Sequence, residues 1–320
     1  MDELLALCSR ELENDLVSAE CAHLTGGRPD AYGVARCRTL AHIRHAAYVR
    51  SGVRCIARGR TLDRLVQAVA QSRFDARGFR IEFLRLSSSI QIGKREAVVA
   101  VANAIDAAPN LDAPEHRFLL AQQDEGLWFG EIVTEADRAY VRHDAKPCRT
   151  SSSLPSRLAR ALVNLVVPPA RTILNPCCGT GSILLEAQAI GLKAYGIDWN
   201  GRMVAMSRQN LAHFGCPARV ELGDARDWRR TGDALIADLP YGRFLHTPEE
   251  VIRGILGTGA RLAPVAVYVA ARDISRWLRE AGYGEVQVLR VRKSEGFARY
   301  VHRAHRTLPW SSVELRCSIK

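Results

Sequence analysis

Two short stretches of this chain carry residue types suited to chemistry. The first is Asp238-Leu239-Pro240-Tyr241-Gly242, which closes the apolar run Ala234-Leu235-Ile236-Ala237. The Asp238 carboxylate and the Leu239 carbonyl can accept the two N–H groups of an exocyclic amine on a flat ring. Tyr241 can stack on that ring, a contact of about 1–3 kcal/mol once the ring has left its own stack. Such an amine is a poor nucleophile because its lone pair is delocalised. Two acceptors on its protons direct the lone pair outward, and the carboxylate stabilises charge as it develops. Asp, Pro and Gly also favour ordinary turns, so this stretch gains meaning only from what precedes it.

The second stretch is Asn175-Pro176-Cys177-Cys178-Gly179-Thr180-Gly181-Ser182, led by Thr172-Ile173-Leu174 and followed by Ile183-Leu184-Leu185-Glu186-Ala187. Apolar and β-branched residues before it and helical composition after it predict a strand, a glycine turn and a helix. Glycine serves where the main chain approaches a ligand or takes positive φ, and a helix N-terminus offers unpaired N–H groups. A dinucleotide would call for a third glycine where Leu184 stands. S-adenosylmethionine needs no phosphate cradle, only a close main chain at its methionine end and an acid for its ribose. Asp198 closes the next strand, Lys193-Ala194-Tyr195-Gly196-Ile197, about 20 residues downstream, where a ribose-binding acid belongs. Asn175, Pro176, Cys177, Gly179, Gly181, Asp198 and Trp199 are therefore expected at the cofactor.

The elements that must position these residues alternate between strand and helix from Thr172 onward, which predicts a parallel sheet with helices on both faces. Arg219-Val220-Glu221-Leu222 reads as a third strand leading into Gly223-Asp224-Ala225, and Val265 to Ala270 as a fifth. Ile274, Trp277 and Leu278 mark a helix, and Val286–Leu289 with Tyr300–His302 a terminal antiparallel pair. Ligands of open α/β sheets sit at the carboxyl ends of the strands, and Gly179, Asp198, Asp224 and Asp238 all fall there.

Before Thr172 the pattern is less regular. Glu3-Leu4-Leu5-Ala6-Leu7 is expected to start a helix, Val34–Cys37 to form a strand, Leu40 to Arg50 a helix, and Val53–Ala57 a half-buried strand. Leu62, Leu65, Val66 and Val69 share one helical face, Phe79, Ile81 and Phe83 alternate as a strand, and Val98, Val101, Ala102 and Ile105 repeat the helical stripe. Phe118-Leu119-Leu120 and Leu127-Trp128-Phe129 flank Asp124-Glu125-Gly126 as a hairpin. Arg142 to Ser153 is polar and turn-rich. Leu158, Ala161, Leu162 and Leu165 mark an amphipathic helix ending before Pro168-Pro169.

Composition narrows the function classes. The 320 residues suffice for about two domains. Lys plus Arg 45 against Asp plus Glu 34 gives a net charge of +11, which favours a polyanionic partner. The nine cysteines are scattered and never spaced as C-x-x-C, which fits reduced thiols in the cytoplasm. Cys177 and Cys178 stand far from Asp238 in sequence and read as half-buried fillers, not as a nucleophile beside a target base. His213, His246 and His302 lack ligand spacing, so no metal is expected. No run of about 18 apolar residues suggests a membrane segment, and the acidic start lacks a signal-peptide layout.

The pairing of NPCCGTGSILLEA with DLPYG, preceded by Ser153-Leu154-Pro155-Ser156-Arg157-Leu158-Ala159-Arg160-Ala161-Leu162-Val163-Asn164-Leu165, resembles the THUMP-domain tRNA guanine-N2 methyltransferases. Against that family's commoner DPFCGTG and DPPYG, Asn175 replaces an acid and Leu239 replaces the first proline while keeping a main-chain carbonyl. The resemblance implies an α/β chain. A Rossmann-like class I methyltransferase domain with a mostly parallel seven-stranded sheet would occupy 154–320, after a linker at 145–153. An α+β THUMP RNA-binding module would occupy 59–144, and a ferredoxin-like segment lacking its usual opening strand 1–58. It also implies S-adenosylmethionine as cofactor, tRNA or another structured RNA as partner, and the N2 amine of guanosine 10 as target. Asp238, Leu239, Pro240 and Tyr241 would then be catalytic, Asp224 and Ala225 would meet the adenine, and Arg73, Arg77, Arg80, Lys94 and Arg95 would contact RNA. A monomer is expected. Arg290, Arg292, Lys293, Arg299, Arg303 and Arg306 crowd the last strands as a second RNA-facing edge. Two other readings stand beside this one: amine methylation of ribosomal RNA or DNA, and a non-catalytic RNA-binding or assembly factor that keeps the cofactor site.

Overall fold

The structure is a computed structural model that describes residues 3–11, 15–87, 92–240, 247–294 and 297–306. Tyr241, Gly242 and His246 lie outside the described residues. The chain divides into two units, Met1–Asp144 with Pro155–Pro168, and Ala145–Leu154 with Pro169–Lys320. The sequence places a linker at 145–153 and starts a new domain at 154. In the structure 145–154 groups with the second unit and 155–168 with the first, so the chain passes between them three times.

The first unit runs β1 (Glu3–Cys8), α1 (Asp15–Thr25), β2 (Val34–Cys37), β3 (Val49–Gly59), α2 (Leu62–Gln71), β4 (Phe79–Arg85), α3 (Lys94–Ala102), β5 (His116–Gln123), β6 (Gly126–Glu135) and, from its second segment, α4 (Ser156–Asn164). Its sheet has the order β2-β1-β3-β6-β5-β4, antiparallel except where β4 and β5 run parallel. Glu3–Leu7, expected to start a helix, is instead β1, the opening strand the sequence seemed to lack. Its place between β2 and β3 buries Leu5 to Cys8 without alternation, and a short run buried on both faces carries no period to read.

The helix expected over Leu40 to Arg50 is also corrected. Only a single 3₁₀ turn forms, at Ile43–His45, before β3 begins at Val49. Glu20, fully buried on α1, accepts the N–H groups of Ala47 at 2.8 Å, Tyr48 at 2.6 Å and Val49 at 3.3 Å. Those donors are thereby lost to any helix, and tertiary pairing overrides the helical spacing. The expected α2 forms with Thr61 as its N-cap, the side chain accepting from Arg64 N–H at 3.3 Å. Leu65, Val69, Val101, Phe79, Phe118 and Phe129 pack as one core beneath it. The expected hairpin joins β5 to β6 through Gly126, where a Cβ would lie 2.4 Å from the Gly59 carbonyl oxygen.

The second unit runs β7 (Thr172–Pro176), α5 (Ser182–Ala189), β8 (Lys193–Asp198), α6 (Gly201–His213), β9 (Arg219–Leu222), β10 (Ala234–Asp238), α7 (Glu249–Leu262), β11 (Val265–Ala270), α8 (Ser275–Glu280), β12 (Tyr283–Ser294) and β13 (Phe297–Arg306). The seven strands lie in the order β12-β13-β11-β10-β7-β8-β9. The ladders joining β11, β10, β7, β8 and β9 are parallel, and β13 runs antiparallel to both β11 and β12. Ala234 to Ala237 of β10 are essentially inaccessible, as parallel strands covered on both faces require. Chain order reverses between β7 and β10, the point at whose carboxyl ends open α/β sheets take their ligands.

Candidate cofactor and acceptor site

The glycine turn leaves β7 in a conformation that few side chains tolerate. Cys177 has φ 58°, Gly179 φ 53° and Gly181 φ 82°. A Cβ on Gly181 would lie 2.4 Å from the Ser207 hydroxyl, which makes glycine a packing requirement there. At Gly179 nothing stands within 4 Å of where a Cβ would be, so the main chain faces open space. Asp198, buried at the end of β8, receives the Gly179 N–H on Oδ2 at 2.8 Å and the Asn200 N–H on Oδ1 at 2.9 Å. Turn and acid are thus held as one piece, and each carboxylate oxygen retains a second lone pair. Trp199 beside it is 75% exposed, a flat apolar surface left uncovered at the same edge.

Asn175 has a partner within the sheet. Its Nδ2 donates at 2.6 Å to the Ile236 carbonyl, tying β7 to β10 two residues before Asp238. A carboxylate in its place could not donate that bond, which gives the departure from the commoner acid a physical reason. Leu239 has a similar explanation. Its N–H donates to the Val269 carbonyl at 3.0 Å, extending the β10–β11 ladder, and its side chain joins the core. Proline there would lack the donor. Asp238 itself is half-buried at the end of β10, opposite Val269.

Burial, together with Asp198, Asp238 and Asp224, pushes the Cys177 thiol up to about 12. The three carboxylates therefore act on one point in the turn, and the thiol stays protonated at neutral pH, unsuited to nucleophilic attack. Asp224 follows β9 and meets the Arg226 guanidinium in a fork, Nη2 to Oδ2 at 2.6 Å and Nε to both oxygens at 3.0 Å. That partner holds its carboxyl below the usual range. Ala225 next to it is buried. Pro240 is half-buried after the strand.

Sequence reasoning missed how Ala145–Leu154 is fastened within the second unit. The Ser153 and Thr180 hydroxyls lie 3.0 Å apart, and Lys146 Nζ donates to the Ser182 hydroxyl at 2.8 Å. Asn210 accepts from Cys148 N–H and donates to Cys148 O, both at 2.8 Å, and donates to Thr180 O at 2.9 Å. The back of the turn is thus braced by a stretch whose polar composition alone reads as a linker. No local signal marks Asn210.

In the first unit, Arg80 and Lys94 line one cleft of about 600 Å³ with Ile81, Phe83, Pro114, Arg117 and Glu82, which accepts from Arg117. Arg73, Arg77 and Arg95 are exposed outside it, and Arg77 is forked onto Asp75. Among the described residues no group of three or more His, Cys, Asp or Glu side chains is placed to hold a metal, and no helix is long and apolar enough to cross a membrane.

Residues 143–253 match the UPF0020 family, the RMKL-like methyltransferase domain. A tRNA (guanine(10)-N2)-dimethyltransferase of Pyrococcus abyssi is 41% identical over 131 residues, which cover 38% of this chain and 40% of that protein. The enzyme of the same name from Methanothermobacter thermautotrophicus is 37% identical over 123 residues, 37% of each chain. The matched stretch thus spans about two fifths of these curated relatives. Among solved structures, TrmN from Thermus thermophilus superposes with a TM-score of 0.51 at 20% identity, covering 96% of this chain and 100% of that one. A possible methylase from Clostridium difficile 630 gives 0.50 at 15% identity, covering 98% and 100%. These likenesses establish the class I methyltransferase fold.

Proposed function

We propose, on the match of residues 143–253 to the RMKL-like methyltransferase domain family, that the chain is an S-adenosylmethionine-dependent methyltransferase of the cytoplasm acting on the N2 amine of a tRNA guanosine, of the guanosine-10 type. The observation that carries this reading is that the sheet topology brings the glycine turn after β7, Asp198 at the end of β8, Asp224 just after β9 and Asp238 at the end of β10 to one carboxyl edge, with Asp198 bonded to the Gly179 N–H. The names of two relatives similar over the matched stretch support the choice of substrate.

The residues present fit the cofactor. The open space over Gly179 would admit its methionine end against bare main chain, Asp198 would offer lone pairs to the ribose hydroxyls, and Trp199, Asp224 and Ala225 would hold the adenine. When bound, S-adenosylmethionine supplies an electrophilic methyl on a sulfonium. What remains for the protein is to position the nucleophile, neutralise its developing charge and exclude water. The Asp238 carboxylate and the Leu239 carbonyl accept the two amine hydrogens, and Asp238 then accepts the proton that the nitrogen releases on alkylation. The Leu239 N–H bond to Val269 fixes the peptide that presents that carbonyl. Within the first unit, residues 59–144 act as a THUMP module, and the Arg80–Lys94 cleft serves as an RNA contact.

The test is label transfer from S-adenosylmethionine to an unmodified tRNA transcript, followed by nucleoside analysis. Wild type is expected to yield N2-methylated guanosine. Asp238→Ala is expected to slow transfer by about 10²–10³-fold, the scale of losing one charge-stabilising group at a reacting centre. Label absent from guanosine would refute the substrate, and an unimpaired Asp238→Ala enzyme would refute the role of the acid.

A further inference from the structure

The last two strands reach past the sheet that supports them. The ladder between β11 and β13 ends at the pair Ala270 and Tyr300. The ladder between β12 and β13 continues from Arg290 and Tyr300 through Val291 and Arg299, and Arg292 and Ala298, to Ser294 and Phe297. Asp238 pairs with Val269. The hairpin therefore projects from one residue beyond the level of that acid, on the carboxyl side of the sheet, by about 10 Å at 3.4 Å per residue.

Its position in the strand order sets what it can touch. β8 and β9, with Asp198 and Asp224, lie on one side of β7, while β10, β11 and the hairpin lie on the other. The projection flanks the side where the acceptor enters, away from the adenosine side. Arg290 and Arg292 are exposed, and as alternate residues of β12 they share one face with Val288, which is 36% exposed. Arg299 is buried and belongs to the other face. Arg290 and Arg292 thereby set two positive charges on the acceptor side of the sheet, where a polyanion would be drawn.

We infer that the projecting β12–β13 hairpin is a contact surface for the phosphate backbone of the RNA strand that flanks the target nucleotide, with Arg290 and Arg292 as its cations. The inference rests on the proposed RNA substrate and adds to it a specific face of the methyltransferase unit. Contacts of this kind carry affinity and salt dependence and leave sequence choice to the base pocket.

The full-length protein would be titrated with an unmodified tRNA transcript over a series of salt concentrations, comparing wild type, Arg290→Ala/Arg292→Ala, and Arg219→Ala. Arg219 is an exposed cation at the amino end of β9, on the opposite edge of the sheet, and shows what the loss of one surface charge does by itself. The double variant is expected to bind at least fivefold more weakly at low salt. Its log–log salt slope should be shallower by about one to two, since each neutralised phosphate contributes about 0.7–0.9. Arg219→Ala should match wild type, and all three should unfold at the same temperature. If the alanine pair unfolds early, Arg290→Gln/Arg292→Gln, which keeps the aliphatic stems, takes its place. Unchanged affinity and slope in the double variant, or an equal loss in Arg219→Ala, would overturn the inference. Because the readout is binding, the two proposals separate. Hairpin-dependent binding without methyl transfer refutes the activity alone, and normal transfer with hairpin-independent binding refutes this surface alone.

Discussion

Arg226 shows how a single side chain can join two parts of the methyltransferase unit. Its guanidinium forks onto Asp224, its carbonyl accepts from Thr258 Oγ1 at 2.8 Å, and its stem lies against Gly254 of α7, where a Cβ would come within 2.9 Å of Cδ. The acid expected at the adenine is thus anchored to the helix that follows the proposed catalytic segment. Arg226→Ala should weaken S-adenosylmethionine binding by up to about fivefold and no more, because solvent screens the exposed pair it breaks. The pH dependence has a definite sign. Arg226 depresses the Asp224 carboxyl below its ordinary 3.8, so the ionised acid persists as pH falls into the window between the depressed value and 3.8, and any stability from the pair is lost through that window. Removing Arg226 should shift the acid limb of cofactor affinity upward toward 3.8, measured by titration calorimetry from pH 3 to 6. None of this was legible in the sequence, where Asp224 reads only as an acid in a Gly-Asp turn. The glycine turn and the strand-end acids were legible, because positive φ and abrupt strand ends demand particular residue types at short range.

At the scale of elements, Glu20 governs the course of the first unit. Besides the three N–H groups that open β3, it accepts the Asn164 amide at 2.6 Å, so α1, β3 and α4 share one buried acceptor. Glu20→Ala would leave these donors unsatisfied in a site with no access to water, at a cost of about 3 kcal/mol or more. Thermal unfolding should show the first unit melting well before the second, and coincident, unshifted transitions would contradict this role. The same network explains where sequence reading failed. Leu40 to Arg50 has helical spacing, but its path is set by an acid more than twenty positions upstream. β1 failed for a different reason, being too short and too uniformly apolar to show a period. The elements after Thr172 were readable because each parallel strand is a compact apolar run bounded by turn residues.

At the scale of the molecule, the net charge of +11 suits a polyanionic partner. The alternation of strands and helices was enough to forecast the sheet of the second unit. The route of the chain was not, since Ala145–Leu154 and Pro155–Pro168 exchange partners across two adjacent residues with no break in composition. A fragment 1–144 lacks Asn164 and the rest of α4, and should unfold at a lower temperature than 1–168, a difference calorimetry can read directly. Because the polypeptide passes from one unit to the other at 144/145, 154/155 and 168/169, a protease that nicks any one of these junctions makes two fragments that share at least one unit between them and stay together by packing within it. Under native conditions such a nick would be silent in gel filtration and would appear only after denaturation.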